Sequence, residues 1–263
     1  MNKIGFIGLG NMAEKMLNQL SKQNFEFLGL DNKVERAYEF SNKYGIKVKS
    51  SLAELMDEAS FIILSVRPDN VCSLANEMKK ELRRQHIIIS ICAGLSIKDL
   101  ASYFPNNPVV RSMPNGIEDS RGYSALCFDK NCSKEQILEV RKLFQGIGEI
   151  VILEEQKFAS FTAFSCASPV VILKLIEYLL QSGTYLGFTK KQSLEIVTAN
   201  LLSCIELTNN GDIGKQVEKL CSPGGIGVEM LHTFSQGLVK KTLIDAFIAG
   251  RDKDIYLLKG EDK

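Results

Sequence analysis

Up to about residue 153, short apolar runs alternate with stretches whose apolar residues recur at helical spacing. Beyond that point the short runs stop. The runs at 3–8 (KIGFIG), 26–30 (EFLGL), 46–48, 61–66 (FIILSV), 86–91 (HIIISI), 109–112, 123–128 and 149–153 read as strands. Several are apolar at successive positions, so both of their faces must be covered. Helices are expected at 11–22, where Met12, Met16, Leu17 and Leu20 form one stripe, and at 33–44, 52–56 and 70–84. Ser51 stands where an N-cap belongs, and Ser96 with Asp99 forms a capping-box pair. Such an alternation predicts a mostly parallel sheet between two helical layers. From 157 onward only helical segments remain, at 157–186, 190–208, 214–220, 225–235 and 239–256. Gly187-Phe188-Thr189, Asn209-Asn210-Gly211 and Ser222-Pro223-Gly224-Gly225 separate them. Pro169 inside the first of these segments predicts a kink. The expectation is an α/β domain over 1–154 followed by an all-helical domain over 155–263.

Composition narrows the function classes. Lys and Arg number 32 against 31 Asp and Glu, a net charge of +1, so no basic excess points to nucleic acid or to an anionic membrane. No uninterrupted apolar run reaches about 18 residues, so no transmembrane helix is expected. Glu14 and Lys15 fall where a signal peptide would continue its apolar region. The seven cysteines are odd in number and form no Cys-x-x-Cys pair, which fits a reducing cytoplasm. The two histidines, His86 and His232, are far apart, and no zinc motif is present.

The strongest motif is Gly8-Leu9-Gly10-Asn11-Met12-Ala13, which closes the first strand and opens the first helix. In a Rossmann-type domain this would be the dinucleotide loop; the other reading is a tight strand-to-helix turn with no ligand. Gly8 makes the tight turn, Gly10 lets the backbone approach a pyrophosphate, and Ala13 lets the helix pack close. The N–H groups at the helix start would hold the phosphates. Asp31, about 20 residues on, stands where the fingerprint expects a ribose ligand. A carboxylate there favours NADH. Asn32, Lys33 and Arg36 would hold a 2′-phosphate, and so NADPH, if Asp31 pointed away. The other reading of Asp31 is a plain cap for the next helix.

Several further segments resemble one family, the pyrroline-5-carboxylate reductases. Gly5 to Ala13 is similar to the family's opening, Val66-Arg67-Pro68-Asp69 to its Val-Lys-Pro loop, and Ser90-Ile91-Cys92-Ala93-Gly94-Leu95 to its Ser-Ile-Ala-Ala-Gly-Ile. Arg111-Ser112-Met113-Pro114-Asn115 resembles Arg-Val-Met-Pro-Asn, and Ser222-Pro223-Gly224-Gly225 matches Ser-Pro-Gly-Gly. The order and spacing are the family's over nearly the whole chain. The resemblance implies hydride transfer from NADPH or NADH to the C=N carbon of Δ1-pyrroline-5-carboxylate, a small cyclic imine, giving L-proline. It also implies a homodimer, or a larger assembly of dimers, formed by the helical domain, with substrate between the domains. Cofactor contacts would fall to Gly8, Gly10, Asn11, Met12, Asp31, Val66, Arg67, Pro68, Ala93, Gly94, Pro114 and Asn115. The substrate side would fall to Ser168, Ser222, Gly224 and Gly225. A protonated imine is already electrophilic, so proximity and electrostatics carry such chemistry, and no metal is required.

Departures cluster on the substrate side. Ile226 and Gly227 stand where the family has Thr-Thr, Gly116-Ile117 where it has Thr-Pro, and Ser165-Cys166-Ala167-Ser168-Pro169 where it has Ser-Gly-Ser-Gly-Pro. Two alternatives to proline synthesis therefore stay open: reduction of a different imine or keto substrate, and a catalytically weak NAD(P)H-binding regulatory paralogue. Ser222–Gly225 also reads as a bare helix-to-helix turn, Asn115 as a turn residue, and Arg67 as a solvent-exposed side chain. Cys166 reads as a packed residue and His232 as a helix-interface residue. Lys174, in an apolar run past Pro169, does not read as the catalytic lysine of a β-hydroxyacid dehydrogenase.

Overall fold

A computed structural model of the chain describes residues 3–21, 23, 25–115 and 122–259. The elements run β1 (Lys3–Ile7), α1 (Asn11–Leu20), β2 (Glu26–Leu30), α2 (Val34–Tyr44), β3 (Lys47–Val48), α3 (Leu52–Glu58), β4 (Phe61–Leu64), α4 (Val71–Met78), β5 (Ile87–Ser90) and α5 (Ile97–Tyr103). They continue with β6 (Val109–Asn115), β7 (Gly122–Phe128), α6 (Lys134–Gln145), β8 (Gly148–Ile152), α7 (Phe158–Phe161), α8 (Ser168–Tyr185), α9 (Lys190–Thr208), α10 (Ile213–Leu220), α11 (Ile226–Gln236) and α12 (Val239–Lys259).

The eight strands form one sheet in the order β3-β2-β1-β4-β5-β6-β7-β8. All neighbouring pairs are parallel except β6 with β7. The successive apolar positions of each run divide between the two faces. Ile4, Phe6, Ile63, Ile89 and Val110 pack with α1, α2 and α6, while Ile62, Leu64, Ile88 and Val109 pack with α3, α4 and α5. This is the doubly wound α/β fold that the alternation predicts.

Three features differ from expectation. Helix α6 has no counterpart in the strand-and-helix reading, although Ser133 and Gln136 form its capping box and Val140, Leu143 and Phe144 its buried stripe. The expected helix over 157–186 is broken. A 3-10 turn at Glu155–Lys157 and α7 lead into a π turn at Thr162–Cys166, and α8 starts afresh at Ser168. Pro169 thus sits in the first turn of a helix, where its missing N–H costs nothing, rather than kinking the middle of one. Finally, the stretch Glu155–Tyr185 is long and apolar enough to cross a membrane by length and composition. That corrects the expectation that no segment qualifies: its serines, threonines and Cys166 interrupt the aliphatic residues without adding charge.

The chain divides into two compact units, 1–166 with 250–263, and 167–249. The first therefore extends past the expected 154/155 boundary and takes in the end of α12. In the second, no residue of α8, α10 or α11 is buried within the single chain. The Gly116-Ile117 departure lies outside the described residues.

Candidate active site

Strands β2, β1, β4, β5 and β6 are consecutive and parallel, so their C-terminal ends share one edge of the sheet. Chain order reverses between β1 and β4, and a doubly wound sheet binds its ligands at such a switch point. The structure brings all twelve expected cofactor positions to this edge. Gly8, Gly10, Asn11 and Met12 follow β1, Asp31 follows β2, and Val66-Arg67-Pro68 follows β4. Ala93-Gly94 follows β5, and Pro114-Asn115 ends β6.

The two glycines do different work. Gly8 has φ +91°, and a Cβ there would lie 2.5 Å from the Ser65 carbonyl oxygen. Its N–H donates to the Leu30 carbonyl at 2.8 Å, so the turn is wedged between the ends of β2 and β4. Only glycine fits. Gly10 is the N-cap of α1 in ordinary extended geometry, and a Cβ there would meet nothing within 4 Å. No side chain caps α1. The N–H groups of its first turn are thus left for an external acceptor, over open space. Ala13 is fully buried, Met12 packs against the core, and Asn11 is exposed.

Asp31 turns inward. Its Oδ2 accepts from the Leu9 N–H and its Oδ1 from the Lys33 N–H, both at 2.8 Å, and its side chain is 5% exposed. The carboxylate therefore ties the glycine loop to the start of α2. Lys33 is exposed, and Arg36 reaches to 3.9 Å from Asp31 Oδ2. Beyond β4, Arg67 is exposed and Pro68 opens a 3-10 turn. The Cys92 thiol donates to the Val66 and Leu64 carbonyls at 3.1 and 3.4 Å, joining the loops after β4 and β5. Asn115 is a strand-end residue rather than a turn residue. Its Nδ2 donates to Ser165 O at 2.7 Å and contacts Ser165 Oγ at 3.1 Å.

The four substrate-side positions lie in the second unit. Ser168 is the first residue of α8. Ser222–Gly225 is a closed turn in which the Gly225 N–H donates to Ser222 O at 2.9 Å, with Gly224 at φ +70°. Gly225 is the N-cap of α11 and supplies no side chain, and the next residue, Ile226, is 82% exposed. Burial, with the nearby Asp254 carboxylate adding to it, pushes the Cys166 thiol up to about 12, which is a packed thiol and not a nucleophile. His232 is exposed and contacts Gln236, and Lys174 pairs with Glu177.

One group went unread in the sequence. Arg111, in the middle of β6, is 1% exposed, ion-paired with Glu155 and stacked 4.6 Å from the Phe158 ring centre. A cation inside an apolar strand run must find a partner, and that was the available signal.

Two family models match the chain: "NADP oxidoreductase coenzyme F420-dependent" over residues 3–94, and "Pyrroline-5-carboxylate reductase dimerisation" over residues 155–256. A pyrroline-5-carboxylate reductase of Arabidopsis thaliana is 26% identical over 255 residues, 94% of this chain and 92% of that protein. Pyrroline-5-carboxylate reductase 2 of Bacillus subtilis is 27% identical, over 93% and 91%. The crystal structure of the Streptococcus pyogenes enzyme matches at 29% identity and TM-score 0.84, over 96% of this chain and 97% of that one. The chain is thus similar to pyrroline-5-carboxylate reductases over nearly its whole length. A Plasmodium falciparum pyrroline carboxylate reductase with NADP bound shares the fold, with TM-score 0.83 at 24% identity over 98% of each chain. These matches make the chain an NAD(P)H-dependent oxidoreductase that self-associates, and the matched dimerisation segment contains the apolar helix α8.

Proposed function

We propose that this chain reduces Δ1-pyrroline-5-carboxylate to L-proline in the cytoplasm, as a homodimer or an assembly of homodimers, with NADPH preferred to NADH. The observation that carries the reading is the open direction at Gly10 above the uncapped start of α1, at the switch point of the sheet. A dinucleotide's pyrophosphate fits that cradle, and a side chain would fill it. When bound, the reduced nicotinamide supplies the hydride that turns C=N into C–N. The chain's own residues bind and orient. The first-turn N–H groups of α1 hold the pyrophosphate. Val66-Arg67-Pro68, Ala93-Gly94 and Pro114-Asn115 border the cofactor along the sheet edge. Ser168, Ser222, Gly224 and Gly225 orient the imine.

The preference for NADPH rests on Asp31. Each of its oxygens already accepts from a backbone N–H, and with its side chain only 5% exposed little of it is open to a ribose. Arg36 offsets its charge, and with Lys33 and Asn32 makes a site for a 2′-phosphate. This replaces the lean towards NADH that Asp31 suggests when read without its partners.

The test is oxidation of NADPH and NADH by Δ1-pyrroline-5-carboxylate, followed by absorbance, with cofactor affinity measured on the same preparation. Turnover with both, faster at low cofactor with NADPH, is expected. Tight cofactor binding without turnover would overturn the substrate assignment. Ile226, exposed and apolar where the family has threonine, favours the second reading, a different imine, in that event.

A further inference from the structure

Three segments that carry candidate site residues converge on one carboxylate. Glu155 lies in the 3-10 turn that follows β8. One of its oxygens is ion-paired with Arg111, four residues before Asn115 on β6. The other, Oε2, accepts from the Ile97 N–H at 3.2 Å, the first residue of α5 and three past Gly94. The chain running on from Glu155 reaches Ser165, which receives the Asn115 amide. The end of α12 closes the cluster. Asp254 is 6% exposed, the Arg111 charge reaches it, and its own charge reaches the Cys166 thiol. The carbonyl of Leu257, one turn on, is 3.9 Å from where a Cβ on Gly94 would stand.

The accounting of polar atoms sets this cluster apart from a simple ion pair. Arg111 uses Nη1 on Glu155, while its Nε and Nη2 are buried without a hydrogen-bond partner. Oδ2 of Asp254 is likewise buried and unbonded. An apolar trio of the same volume would fill this space at no such cost. What the charges supply and an apolar trio would lack is direction: Glu155 holds the start of α5 and the guanidinium of β6 in one fixed relation.

We propose that Glu155 is a positioning residue for the reduction, acting through Arg111 and supported by Asp254. It sets the Ala93-Gly94 loop and the Asn115 strand end in register with one another, and so shapes the cofactor crevice without touching it. The inference rests on the site assigned above, but its first readout needs no substrate.

The experiment compares Glu155→Gln with the unaltered protein in three measurements below the unfolding temperature: Kd for NADPH alone, kcat and KM for both substrates, and Tm. The amide can serve only one of the two donors. NADPH affinity is expected to fall roughly tenfold, and kcat to fall further, because misplacement of this order is costly in a preorganised site. Adding Arg111→Met should cost little beyond the larger single effect, since the two act as a unit. A lower Tm with unchanged NADPH affinity and an unchanged split between kcat and KM would make the cluster purely structural and overturn the proposal. Should Glu155→Gln fail to fold, Asp254→Asn keeps the shape and is expected to weaken NADPH binding several-fold. Unchanged affinity there overturns it equally. If the unaltered protein binds NADPH but ignores pyrroline-5-carboxylate, the substrate assignment fails while the affinity comparison still judges Glu155.

Discussion

At the scale of single residues, Gly8 and Gly10 make opposite predictions from one motif. Gly10→Ala places a methyl in open space at unstrained dihedrals, so Tm should hold while NAD(P)H affinity falls at least tenfold. Gly8→Ala forces a left-handed φ and a clash with the Ser65 carbonyl, so it should cost about 1–3 kcal/mol of stability. Thermal melts and cofactor titrations of the two variants separate the roles. Unchanged affinity in Gly10→Ala would displace the site. His86 carries a second prediction. It is 1% exposed, and its Nδ1 accepts from the Arg83 N–H at 3.1 Å, which only the unprotonated nitrogen can do. Burial holds its pKa below the ordinary 6.5. The unfolded chain therefore binds the proton first as pH drops, so the contribution is whole above about pH 6.5 and drains away below it. Tm measured from neutral to mildly acidic pH should fall in this way, and His86→Asn, whose side-chain oxygen can accept the same bond, should flatten that part of the curve.

At the scale of elements, the start of α11 carries Ile226-Gly227, one of the departures from the Thr-Thr that the family resemblance leads one to expect. Gly225 caps the helix with no side chain, Ile226 is exposed, and Gly227 sits inside the first turn. Ile226→Thr with Gly227→Thr restores two hydroxyls at a helix N-terminus suited to a carboxylate. Turnover of pyrroline-5-carboxylate should rise, and steady-state kinetics with KM resolved from kcat would show it. An unaltered rate would mean the pocket has been rebuilt for another substrate. Helices were legible in proportion to their local signals. α9 spans the expected 190–208, with Thr189 and Gln192 forming its capping box. The break before α8 was not legible, because a π turn has no local code and Pro169 reads alike inside a helix and at its start. α6 carries a legible capping box in Ser133 and Gln136, between two strand-like runs.

At the scale of the molecule, the helices of unit 167–249 leave Val170, Leu173, Leu186, Ile226, Phe234 and Leu238 largely exposed in the single chain. Full burial of each such side chain contributes about 1.5–3 kcal/mol, and patches of this extent mark association surfaces. Self-association should therefore stabilise the protein, with Tm rising with concentration. Leu173→Asp should shift sedimentation towards the monomer and remove the concentration dependence. A full-size oligomer in that variant would place the interface elsewhere.

What the amino-acid order determined by itself was local: eight strands, the doubly wound class, the glycine turn after the first strand and the helical second half. Apolar period, glycine's freedom at φ +91° and caps three residues apart are all written within a few positions of one another. What only the tertiary structure decided was pairing across distance. It decided that Asp31 accepts from the Leu9 and Lys33 N–H groups, that β7 runs antiparallel to β6, and that Arg111 meets Glu155. A buried charge must find its partner wherever the fold brings one, and 44 residues separate Arg111 from Glu155. No periodicity along the chain records that meeting.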